Sequence, residues 1–435
     1  MKIILYIMVA SSLLAADFLS INIKIMELSL FRISLLLLSI VTLLRYLRIN
    51  KKIGLKIKNE QGIMITFYFF WFVYSLFSLG WVQDYVSWSK AIFYIGSGFL
   101  SIWLLSVYVK EERDFKRVLF IVFIMLILHN IIGWNELITG TYRFADLARI
   151  DRHGQFVYNP AVRRPVSMFG NTNDYATVLS IGIFLIYIVF SNSTSKVIKV
   201  LSAGTIASSV YLLLRTNSRA NILGLIIGTA IFIYLKYFKR INIKTLLIII
   251  FVPLLFLNPT VLNSILGMFS EKLYFAFDGG SDRTRLNLIK NGLYFLLKTF
   301  GFGTGAGNIE HWMVNYKIYY TGTITNMHNW WMEILTGYGI IIFVGYVWIY
   351  FKMFKILYSS YIKSNDKFIR NTSLGLISAM TAFIIGSVSS SSNMGTAWIW
   401  LLWGVVIAYI GYVQKHMELK KKGNNIFERS KTGGN

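Results

Sequence analysis

The sequence predicts an all-α polytopic membrane protein of about twelve transmembrane helices, with both termini cytoplasmic and two long external loops bearing short surface helices. Three observations lead there. Of 435 residues, 55% are hydrophobic and only 14% charged, and the mean hydropathy is +0.57, outside the range of soluble globular chains. Apolar runs of ~20 residues, long enough to cross ~30 Å of hydrocarbon, recur along the whole chain. The cations then sort to one side of those runs.

In order, the runs are 3–20, 30–47, 63–82, 88–109, 118–138, 175–190, 197–214, 220–237, 246–262, 329–350, 373–388 and 397–413. An even number places both ends of the chain on one face. The basic segments 45–58, 110–117, 196–199, 236–244, 352–370 and 415–431 all fall on that face, so it is expected to be cytoplasmic. This topology accounts for the net charge of +25 without a nucleic-acid partner. No cleavable signal is expected, because the first apolar run leads directly into further spans. The absence of Cys excludes disulfides, thiolate chemistry and Cys-ligated metal. Residues 1–435 read as a single membrane domain. Two opposite-face segments, 139–173 and 263–327, are long for connections and read as ordered, functional loops.

Arginine is distributed unlike lysine. The cytoplasmic segments hold 21 Lys and 7 Arg, whereas the external ones hold 6 Lys and 9 Arg. Arginine grips phosphate or carboxylate with a planar fork, so an Arg-biased outer surface suggests an anionic, phosphate-bearing ligand. The structural alternative is local pairing with acids or lipid. Arg215-Thr-Asn-Ser-Arg219 is a tight polar turn between two spans, where charge is costly and marks a cavity-facing site or a snorkelling pair. Arg283-Thr-Arg285 opens an amphipathic helix pattern, and cations at a helix start oppose the dipole yet suit an anion clamp.

Gly301-Phe-Gly-Thr-Gly-Ala-Gly307 lacks the following Lys-Ser/Thr and the βαβ setting of a nucleotide loop. It reads instead as a turn that lets backbone approach a ligand or another helix. Among five histidines, His153, His311 and His328 are external, and no metal-binding spacing joins them, so no metal site is expected. His328 sits where a polar loop meets an apolar run. The external aromatics Trp312, Tyr316, Tyr319 and Tyr320 suit stacking on sugar faces, while Trp330 and Trp331 better suit an interfacial aromatic belt.

Four features in order resemble the O-antigen ligase/polymerase superfamily, which includes the Wzy-type polysaccharide polymerases. They are Arg164-Pro-Val-Ser-Met-Phe-Gly170-Asn171-Thr-Asn173, Asn217-Ser218-Arg219-Ala220, the stretch from Arg285 through Phe300-Gly-Phe-Gly303-Thr-Gly305, and His328-Asn329 with Gly339-Ile340. Ile289 stands where the family usually has Trp, Thr172 replaces the usual Pro, and Ile342 replaces a common late Gly.

The resemblance implies a metal-independent glycosyltransferase, without cofactor, in the bacterial cytoplasmic membrane. It would join undecaprenyl-pyrophosphate-linked repeat units into a surface or capsular polysaccharide at the outer leaflet. Arg219 and Arg285 would hold the pyrophosphate, and His328 would act as general base on the acceptor hydroxyl. Arg164, Arg215, Arg283, Asn173 and Asn329 would contribute to substrate binding; which of Arg163 and Arg164 faces inward stays open. Donor and acceptor glycans, membrane lipid, a flippase and a chain-length regulator are the partners implied. The alternatives are a ligase moving glycan to another acceptor and a flippase for the same lipid-linked sugars.

Overall fold

The computed structural model describes residues 1–15, 18, 20–23, 26–48, 59–151, 154–238, 281–390 and 394–432. Among them, ten helices are long and apolar enough to cross a membrane. The first seven are α2 (Leu30–Arg48), α3 (Glu60–Phe77), α4 (Tyr85–Tyr108), α5 (Glu112–Thr139), α8 (Thr172–Asn192), α9 (Lys196–Arg215) and α10 (Arg219–Tyr237). After an amphipathic helix α11 (Ser281–Lys298) and a short α12 (Ile309–Asn315) come α13 (Trp330–Lys363), α14 (Lys367–Gly386) and α15 (Ala397–Thr432). The chain is thus a multi-pass membrane protein. These helices coincide with ten of the twelve expected runs. The expected run 246–262, residues 263–280 of the second loop, and Arg152 and His153 lie outside the described residues.

The first run departs from expectation. Helix α1 covers only Lys2–Ser11, ~15 Å of rise and about half the hydrocarbon thickness. Ser11 and Ser12 turn their hydroxyls back onto the Ile7 and Val9 carbonyls at 2.7 Å, local bonds that compete with helix continuation. The chain then forms an antiparallel pair, β1 (Ser20–Ile23) with β2 (Met26–Ser29), and returns as α2.

One end of the bundle gathers the chain termini. Lys2 pairs with Asp114 at the start of α5, and Thr42 bonds Tyr108 at 2.7 Å. At the same end, Phe115 packs on Tyr409 and Tyr412 of α15 with ring centroids 5.7 and 5.6 Å apart. The connections at the opposite end include short helices α6 (Leu147–Ile150) and α7 (Gln155–Tyr158) between α5 and α8.

Helices α14 and α15 form the centre, 78% of each apolar window being enclosed by protein, whereas α9 and α10 reach only 22% and lie at the periphery. Gly224 and Gly228 nevertheless bring α10 against the centre. A Cβ on Gly224 would stand 2.7 Å from the Ala382 carbonyl, and one on Gly228 would stand 2.9 Å from that of Ser378. This small-xxx-small spacing permits close approach of membrane helices. It fixes the start of α10, with Ser218 and Arg219, beside the end of α14.

Candidate functional site

Three helix starts meet around the turn Ser387–Ser390 that ends α14. Asn171 caps α8 by accepting from the Asn173 and Asp174 amides at 2.8 and 2.9 Å. Ser218, the N-cap of α10, donates its hydroxyl to Asn173 Oδ1 at 2.8 Å. The buried Asn221 amide lies within hydrogen-bond reach of the Asn173 carbonyl (3.3 Å), Ser218 Oγ (3.0 Å) and Ser389 Oγ (3.1 Å). Thr177 bonds Ser390 Oγ at 2.9 Å, and the Trp330 amide donates to the Ser387 carbonyl at 3.0 Å. Asn329 caps α13, accepting from Trp331 and Met332 amides. The positive end of each helix dipole lies at this cluster and favours an anion nearby.

His328 adopts φ 47°, a left-handed conformation costly for a residue with a Cβ. The cap at Asn329 and the Trp330–Ser387 bond fix the backbone that follows that turn. The imidazole is half-buried, and burial, then the charge of Arg285, hold its pKa below the ordinary histidine value; a hydrogen bond to the Ser390 backbone opposes them. Arg285 is therefore an electrostatic neighbour of His328. It gains that place because Leu288 and Phe295 of α11 pack with Met327, Ile309 and Met313 in a small core of their own. Arg285 is half-buried and Arg283 exposed, so Arg285 lies nearer the site.

The glycine-rich turn grips a break in α13. Gly339 has φ 78° inside that helix, which leaves carbonyls without helical partners. The turn supplies them: Thr304 N donates to the Thr336 carbonyl at 2.8 Å and Gly305 N to that of Gly337 at 3.0 Å. In return, Ile340 N donates to the Gly301 carbonyl at 2.9 Å. A Cβ on Gly303 would come within 2.6 Å of the Gly339 nitrogen. The close backbone approach expected of these glycines is to a helix. Asn308 then ties the turn to the start of α4, accepting from the Gln83 and Asp84 amides at 3.0 and 2.8 Å.

The remaining sequence-derived residues divide clearly. Arg219 occupies the first position of α10 and is exposed beside Ser218. Arg164 is exposed and its carbonyl accepts from Tyr142. Its neighbour Arg163 is the inward-facing one, donating to the carbonyls of Phe156, Leu137 and Ile138 at 2.6–3.0 Å. Arg215 holds the carbonyls of Pro160, Ala161 and Arg163 at 3.0–3.2 Å. Asn173 and Asn329 sit in the cluster as helix-joining and helix-capping groups. Trp330 is fully buried, bonded to Tyr346 at 2.8 Å, and Trp331 donates to the Ile384 carbonyl. Both pack in the bundle, where an interfacial belt was expected.

Sequence reading missed Asn221, Ser389 and Ser390. The serine run at 387–392 after an apolar span was the available signal, since a span has no packing reason to end in successive hydroxyls.

This helical bundle and its loop-end cluster are those of a multi-pass membrane protein whose residues 204–347 match the O-antigen ligase family model. The matched stretch holds Ser218–Arg219, Arg285, the glycine-rich turn and His328–Asn329. Over 436 aligned residues the chain is 29% identical to the teichuronic acid biosynthesis protein TuaE of Bacillus subtilis (strain 168), spanning 96% of this chain and 85% of that protein.

Proposed function

We propose that the chain polymerises polysaccharide by glycosyl transfer between polyprenyl-pyrophosphate-linked glycans, without a metal ion, at the outer leaflet of a bacterial cytoplasmic membrane. The observation that carries this reading is the placement of His328, within the electrostatic influence of Arg285, at the mouth of three converging helix starts. In this reading the acceptor hydroxyl loses its proton to the neutral imidazole and attacks the anomeric carbon of the donor. A C–O bond forms there, the anomeric C–O bond to pyrophosphate breaks, and the lipid pyrophosphate departs with the electron pair. Arg219 and Arg285 counter the charge that accumulates on it, where preorganised cations act most strongly. The match of residues 204–347 to the O-antigen ligase family model and the similarity to a teichuronic acid biosynthesis protein support polysaccharide as the product. The basic end of the bundle, with both termini, is assigned to the cytoplasm.

A ligase uses the same donor chemistry, and the family description favours keeping it as the second reading. Polymer formation separates the two. In a strain lacking the native gene, the wild-type chain should restore long polymer, whereas equally expressed His328→Ala or Arg285→Ala should leave single lipid-linked repeat units. Normal polymer from His328→Ala would remove that residue from the chemistry. A wild-type chain that leaves polymer length unchanged would favour the ligase.

A further inference from the structure

Beside His328 lies a second compartment, built from different elements. A cleft of about 430 Å³ opens between α4, the glycine-rich turn, α12 and the start of α13, within the size range of small-ligand sites. Its polar lining includes Lys90, Tyr94, Glu310, Asn326 and Glu333, and Met327 joins it to His328. None of the lining residues comes from α8, α10 or α11, so the cations Arg219 and Arg285 stand outside it.

The chemistry of the lining differs from that of the arginine side. Two carboxylates and the Asn326 carbonyl are hydrogen-bond acceptors, against one ammonium at Lys90. Glu333 is almost wholly buried, and Asn326 Oδ1 is buried with no hydrogen-bond partner among the described residues. A buried acceptor without a partner is costly, and a ligand hydroxyl relieves the cost. A pyrophosphate, by contrast, would meet two like charges here. Gly395 on the wall lies against the aromatic ring of Tyr94.

We infer that this cleft seats the acceptor: an uncharged, hydroxyl-rich sugar whose hydroxyls donate to Glu333, Glu310 and Asn326, with one hydroxyl presented to His328. The inference rests on the transferase reading above and extends it. Donor and acceptor are then sorted by charge, the anionic leaving group to the arginine side and the neutral sugar to the acidic side. Glu333, in the first turn of α13 and five residues after His328 in sequence, is the specificity-determining group.

The test uses the full chain in lipid nanodiscs and one probe. That probe is the free repeat-unit oligosaccharide released by mild acid from the lipid-linked units that accumulate without the native gene. Binding is followed by titration, with thermal unfolding as the check that each variant is folded. Wild type should bind, and Glu333→Gln and Asn326→Ala should each weaken binding by roughly tenfold or more, as for hydrogen bonds to charged or buried groups. Arg285→Gln should change it less than about twofold, by the same scale. Binding lost in Arg285→Gln but kept in both cleft variants would place the sugar on the arginine side and overturn the inference. No binding by the wild type would overturn it too. Because polymer formation by the same wild-type preparation is scored separately, failure of the cleft and failure of the transferase reading remain distinct.

Discussion

Ser218 Oγ and Asn173 Oδ1 stand 2.8 Å apart, and this bond joins the first turns of two helices, α10 and α8, that are 45 residues apart in sequence. It sets the position from which Arg219 leaves the backbone. Ser218→Ala removes this hydrogen bond and the one its hydroxyl accepts from the Asn221 amide, each worth about 1 kcal/mol. We expect a small fall in thermal stability and a larger fall in polymer formed per protein, because Arg219 loses its anchored neighbour. Unchanged polymer yield at unchanged expression would show that the bond serves folding alone.

The burial of His328 and the charge of Arg285 acting on it give a pH prediction with a definite sign. Burial and the arginine charge both disfavour the imidazolium, so the neutral base persists below the pH at which an ordinary histidine protonates. The acidic limb of the kcat/KM profile should therefore lie below ~6.5. Arg285→Gln removes one depressing influence and should move that limb to higher pH, besides lowering the plateau. A limb that stays put in the variant would mean that another group controls it.

The grip of the glycine-rich turn on α13 predicts a structural phenotype. Gly303 has φ 80° and Gly339 φ 78°; a Cβ on Gly303 would overlap the Gly339 nitrogen, and one on Gly339 would overlap the backbone of Gly301 and Phe302. Gly303→Ala or Gly339→Ala combines left-handed strain with a backbone clash, and should cost on the order of 3 kcal/mol or more. The expected readout is poor membrane accumulation and a lowered unfolding temperature. Gly322→Ala, at φ 60° but with open space around it, should be much milder and controls for strain alone.

How far the sequence carried this picture differs by element. Ten spans were legible because lipid demands continuous apolar runs, a rule with few exceptions. The first run misled because hydropathy cannot see Ser11 and Ser12 closing on their own helix. His328 and Arg285 were legible as chemistry at a loop–helix junction, but their proximity comes from the packing of α11 on Met327, which leaves no local signal. Trp330 read as interfacial from its place in the chain. Only the fold shows it enclosed by Trp71, Tyr346, Phe383 and Trp400. Asn221 was invisible because a lone Asn in an apolar run has the same sequence signature whether it caps, packs or binds.

The external arginines separate by what they hold, and that yields the last prediction. Arg163 is buried and donates to the Leu137 and Ile138 carbonyls at 3.0 and 2.7 Å, in the last turn of α5. There its charge complements the negative end of the helix dipole. Arg163→Met leaves those carbonyls and that of Phe156 without their donor, and should destabilise by a few kcal/mol. Arg163→Lys should rescue only partly, since a point charge cannot reach three carbonyls in a planar fork. Arg219 is exposed at a helix start, where its cation opposes the dipole, so Arg219→Met should lower the unfolding temperature less than Arg163→Met does. Its effect should fall on transfer instead, by roughly tenfold to a thousandfold if it stabilises the departing pyrophosphate. Measuring unfolding temperature and polymer yield on the same two preparations decides the matter. If Arg163→Met abolishes transfer at full stability, or Arg219→Met unfolds the protein while its folded fraction remains active, the division between holding the loop and holding the ligand is wrong.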